Sequence, residues 1–166
     1  MFKKSWLKGC ALFAVFFLGA AQLPAMAAAC QELTAEEAAI QSKYADNMSK
    51  GLIKGFELAS GKKVTPEQRA EIRRIFAETF PQIIAEVKKA GLYDEYKAQA
   101  FDPEIERMNE EAMRITSIAE VQQVAQKQFA YISEKYPRLT AWMNSSKEME
   151  AIVTAMMKKI QGVLVK

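Results

Sequence analysis

The chain predicts an all-α fold, a compact bundle of five to seven amphipathic helices behind an N-terminal signal peptide, and three observations carry the helical part. Apolar residues recur at steps of three and four along the stretch that follows Gln31. A set of helix-start signals precedes these runs, and the sparse glycines and prolines fall mostly at helix ends. Alternating runs bounded by Asn-Gly or Asp-Gly, the marks of hairpins, do not occur.

The first helix begins at Leu33-Thr34-Ala35-Glu36-Glu37. Thr34 can accept from the free backbone N–H groups of the first turn, and Glu37 reaches back three residues to close a capping box. Ile40, Tyr44, Met48, Leu52, Ile53 and Phe56 form its apolar stripe, and Ser60-Gly61 ends it, glycine being at ease in the left-handed exit conformation. Val64-Thr65-Pro66-Glu67-Gln68 starts the second helix in the same way, with proline in the first turn, where its missing N–H costs nothing. Ile72, Ile75, Phe76, Phe80, Ile83, Ile84 and Val87 make one continuous face. Pro81 falls inside it, so a kink or a restart capped by Thr79 is expected there, and Ala90-Gly91 is the stop.

A short helix over about 92–100 follows, carrying Leu92, Tyr93 and Tyr96. Asp102-Pro103-Glu104 opens the next, with Ile105, Met108, Ala112 and Ile115 as its stripe. Ser117-Ile118-Ala119-Glu120 reads as a further capping box at a bend, with Val121, Val124, Ala125, Phe129 and Ile132 beyond it. Tyr136-Pro137 breaks that run before a turn bearing Leu139, Trp142 and Met143. The last helix starts at Ser145-Ser146-Lys147-Glu148, and its face is Met149, Ile152, Val153, Met156, Ile160, Val163 and Leu164.

Residues 1–29 read as a secretory signal peptide. Lys3, Lys4 and Lys8 give a basic head, an apolar run of about a dozen residues follows, and Ala25-Met26-Ala27-Ala28-Ala29 offers cleavage near Ala27 or Ala29. The apolar run falls short of the ~20 residues that a bilayer-spanning helix needs. Residues 30–166 are then expected as a single helical domain, exported and most simply periplasmic. From Cys30 onward the chain holds 20 basic and 20 acidic residues, so the +3 net charge belongs to the signal segment. A neutral domain of mixed sign has no electrostatic footprint for a phosphate backbone, which argues against nucleic-acid partners. Cys30 is the one cysteine outside the signal, so no internal disulfide is available and helix packing must supply the stability. It is also a candidate lipidation site, because Ala28-Ala29-Cys30 matches part of the box at which lipoproteins are cut and acylated, giving outer-membrane anchoring as the alternative location.

The chain contains no histidine, which rules out Ser-His-Asp and Cys-His catalytic sets within it and leaves its glutamates without the Glu-x-x-His pairs of helical di-iron sites. Asp94, Glu95, Asp102, Glu104 and Glu106 gather around the middle bend. Paired carboxylates can perform glycosidic acid–base chemistry, but acids at solvated helix ends account for them more simply. Ser60-Gly61-Lys62-Lys63 fits the Ser-x-x-Lys nucleophile pattern without its companion elements. No cofactor and no metal site are expected, and no enzymatic activity.

Val64-Thr65-Pro66-Glu67-Gln68 resembles the Leu-Thr-x-x-Gln motif of the Spy/CpxP periplasmic chaperones, and Leu33-Thr34-Ala35-Glu36-Glu37 is a second, looser match. Those proteins are small, exported and all-helical, and they cradle unfolded clients on a concave face. The resemblance therefore implies a chaperone-like role. Methionine and aromatic residues suit adaptable surfaces, and Met113, Tyr136, Trp142, Met156 and Met157 are the candidate binding surface. The function expected is that of an exported binding protein that holds a protein segment, an unfolded client or an apolar ligand in a groove between helices. A lipid-anchored adaptor of an envelope assembly is the alternative, with membrane contact through acylated Cys30, and a hydrolase built on Asp102 or Glu104 is a further one. Homo-oligomers are compatible with either binding role.

Overall fold

A computed structural model describes residues 33–165. Among them are seven α-helices and no strand: α1 (Ala35–Ser60), α2 (Pro66–Lys89), α3 (Tyr93–Ala100), α4 (Pro103–Arg114), α5 (Ile118–Lys135), α6 (Pro137–Ser145) and α7 (Lys147–Leu164). The signal segment, its cleavage point and Cys30 lie outside the described residues.

The start signals act as their chemistry requires. Thr34 and Thr65 each accept from the backbone N–H three residues on at 3.2 Å, and Glu37 and Gln68 accept in return from the threonine N–H groups, so α1 and α2 both open on complete capping boxes. Asp102 caps α4 and Ser146 caps α7. Gly61 and Gly91 take φ of 69° and 68°, the left-handed turn that stops α1 and turns the chain after α2. Ser117 precedes α5 without any side-chain capping bond, so the expected box with Glu120 does not form.

Pro81 neither stops nor restarts α2, which runs through it as one helix of 24 residues. Thr79 is not a cap either; its hydroxyl donates back to the Ile75 carbonyl at 2.8 Å. A proline inside a helix leaves the carbonyl four residues earlier without its N–H. Here that carbonyl belongs to Ala77, and the Gln41 side-chain amide on α1 donates to it at 2.8 Å.

Side chains from α1, α2 and α7 interlock in two stacked clusters. The upper one joins Ile40, Phe80, Ile83, Ile84 and Val87 to Leu92, Tyr96, Tyr136, Leu139 and Met149. The lower one joins Ala45, Leu52, Ile53, Val64, Ile72, Ile75 and Phe76 to Val153, Met156 and Ile160. Tyr44 touches both, its ring edge-on to Phe76 and tilted against Phe80 at centroid distances of 5.9 and 5.7 Å. Because Gln41 meets Ala77 while Gln68 bonds the Val163 carbonyl at 2.9 Å, α1 and α7 both run antiparallel to α2. Their C-terminal halves therefore meet the start of α2 at the lower end of the bundle. Helices α4 and α5 form a hairpin laid on α1, cross-linked by Gln128 donating to Asn109 at 2.9 Å.

Candidate functional site

The acidic residues of the middle bend separate into individual structural partners. Asp102 is buried and accepts four bonds. The Glu104 N–H at 2.9 Å, the Tyr136 hydroxyl at 2.7 Å, the Tyr131 hydroxyl at 3.2 Å and Lys135 at 2.8 Å all converge on it. Burial alone would raise its carboxyl pKa, but the hydrogen bonds from Lys135, Tyr136 and the Glu104 amide outweigh that and hold it well below the usual carboxylate range. Burial, together with the same contact, pushes the Tyr136 phenol up to about 12. Glu95 accepts from the Leu139 N–H at 3.2 Å and pairs with Arg138, so α3 supplies the cap that the start of α6 lacks in its own sequence. Glu104 pairs with Arg107 within α4, and Glu106 with Lys43 of α1. Ser60, the nucleophile of the Ser-x-x-Lys pattern, donates to the Phe56 carbonyl and accepts from the Lys62 N–H, which is a helix-end arrangement. No group of three or more potential ligands that could hold a metal ion is present among the described residues.

The five candidate surface residues do not form one surface. Met156 is 3% exposed and Tyr136 7%, because both lie on stripes that the helices turn inward, Met156 beneath Tyr44 and Tyr136 against Asp102. Trp142 is half-buried against the upper cluster and Met157 against the lower. Met113, 40% exposed on α4, is the one that faces solvent.

An open depression of about 640 Å³ lies at the α4–α5 turn. Arg107, Glu110, Glu111 and Arg114 of α4, Ile115 and Thr116 of the turn, and Glu120 of α5 line it. Ile115 takes an extended backbone that ends α4 and leaves its side chain half-exposed. The charges around it are largely mated: Arg107 bridges Glu104 and Glu111, and Arg114 approaches Glu110 at 3.7 Å. Such a rim can exchange its internal pairs for bonds to a polypeptide, while Ile115 and Met113 offer apolar contact. Ile115 reads as a stripe residue in the sequence, since nothing in Arg114-Ile115-Thr116-Ser117 resembles glycine or proline punctuation.

No protein-family model matches the chain, and no curated protein or solved structure does.

Proposed function

We propose that this is an exported helical protein that acts by holding a segment of another polypeptide, and that the α4–α5 turn is where the segment lies. The observation that supports this reading best is the depression there, with Ile115 lining it, a rim of both charge signs, and Met113 exposed on α4. An apolar contact ringed by adaptable polar groups suits extended or amphipathic client segments. The sequence adds a signal-peptide pattern and a lack of histidine. Of the acids considered for hydrolysis, Asp102 caps α4, Glu95 caps α6, and Glu104 pairs with Arg107 along α4.

A photo-crosslinking side chain placed at Met113, in the presence of an unfolding model client, tests it. Crosslinks at 113 that disappear in an Ile115→Asp variant, with suppression of client aggregation lost in parallel, are expected. Full suppression by Ile115→Asp would remove the turn from the mechanism. The adaptor reading rests on Ala28-Ala29-Cys30. Intact mass of the exported protein decides it, acylation adding an S-diacylglyceryl group at Cys30, with or without a third acyl chain on its amine.

A further inference from the structure

We propose that the lower end of the bundle, made by the 61–65 loop and the C-terminal half of α7, docks on an anionic phospholipid surface. This goes beyond client binding at the α4–α5 turn and does not depend on it. The neutral charge of the domain hides a strong separation. Residues 46–74 and 151–165, which build the lower end, carry nine basic against four acidic residues. The rest of the described residues carry ten basic against fifteen acidic.

Five of these nine basic residues are also left uncommitted. The side chains of Lys50, Lys54, Lys62, Lys158 and Lys159 enter no ion pair, hydrogen bond or ring contact among the described residues. Lys63 reaches Glu57 only at 3.8 Å. Glu67, at the start of α2, hydrogen-bonds Thr65, and Glu57 is already engaged by the Val64 N–H at 2.9 Å and by Arg69. It therefore offers little repulsion to an incoming anion.

Apolar side chains accompany these lysines. Val165 is 79% exposed, following Val163 and Leu164, which are only partly buried against the lower cluster. Lysines around an exposed aliphatic tip match a bilayer interface, where headgroups take the ammonium groups and the acyl boundary takes the valine. An acidic protein surface would leave Val165 unused. Long lysine stems let charges one or two turns up α7 reach the same plane as those of the loop. The acidic remainder of the molecule turns this end toward a negative surface on approach. No described helix is long and apolar enough to cross a membrane, so the contact is peripheral.

Vesicle co-sedimentation of the full-length exported protein tests the proposal, with Cys30→Ser in every sample and intact mass verifying that no acyl chain contributes. The probes are phosphatidylcholine vesicles with and without about 30% phosphatidylglycerol. Binding only to the anionic vesicles, abolished at about 0.5 M NaCl, is expected. Lys62→Glu/Lys158→Glu should weaken binding by about tenfold or more. Lys127→Glu/Lys147→Glu, which changes net charge equally away from this end, should weaken it by less than about twofold. Val165→Ser, which leaves the charge unchanged, should lower binding without altering its salt dependence. These positions are exposed, so circular dichroism should show every variant as helical as the parent. Equal binding to neutral vesicles, equal loss in the two double variants, or no binding by the parent would each overturn the proposal.

Discussion

Asp102 shows how one side chain can serve three elements at once. It caps α4, receives Tyr136 at the α5–α6 break and pairs with Lys135 at the end of α5. Replacing it with alanine leaves a buried phenol without an acceptor, removes the Lys135 pair and uncaps α4, so urea denaturation should show a loss of about 2–4 kcal/mol. Tyr136→Phe removes one bond only and should cost about 1–2 kcal/mol. Because the Asp102 carboxyl is depressed in the fold, its contribution is complete above the ordinary carboxylate pKa of about 4 and drains away as pH falls toward the folded value. The Asp102→Ala variant should therefore lose less stability than the parent on acidification below pH about 4. The capping role of Asp102 is legible from Asp-Pro-Glu, whereas its tyrosine partners are not, since they sit 29 and 34 residues away and nothing local marks the meeting. The same limit explains Met156 and Tyr136, for a stripe position tells that a residue faces a neighbour but not how deeply.

At the level of elements, most of the architecture follows from local chemistry. Two threonine boxes, an aspartate, a serine and two left-handed glycines set nearly every helix end that the sequence marks. Where the sequence misleads, the missing information is tertiary. The start of α6 is capped by Glu95 from another helix, and α2 survives Pro81 because Gln41 supplies the donor that proline withholds. A double-mutant cycle exposes the second arrangement. Gln41→Ala should cost about 1 kcal/mol in the parent, where the Ala77 carbonyl loses its donor. The cost should shrink markedly in a Pro81→Ala background, where the restored backbone N–H serves that carbonyl. Equal costs in both backgrounds would show that the amide contributes only through packing.

On the scale of the molecule, two stacked apolar clusters share α1, α2 and α7, with Phe76 in the lower and Phe80 in the upper, each essentially without solvent contact. Truncating either to alanine should cost about 3–5 kcal/mol, and clusters that melt together should give one unfolding step in each variant, coincident by circular dichroism and fluorescence. Alkali offers a second probe. Burial raises Tyr44 and Tyr96, and burial with acidic neighbours pushes Tyr93 and Tyr136 up to about 12. These phenols are favoured neutral in the fold, so their contribution holds below the unfolded value of about 10 and is lost as pH climbs through the folded ones. The denaturation midpoint should fall steeply between pH about 10 and 12, with a shallower slope in Tyr136→Phe. The basic lower end escapes a composition reading, because the balance of charge over the whole chain cancels what the fold segregates. Helix α1, at 26 residues, is about 39 Å long and has the uncommitted lysines at its far end. Cys30 precedes Thr34 by four residues, about 14 Å of extended chain at most. Were Cys30 acylated, its tether and the lysines would therefore grip from opposite ends of α1: one flat sheet could engage both only with that helix reclining, whereas an upright helix would span two facing sheets.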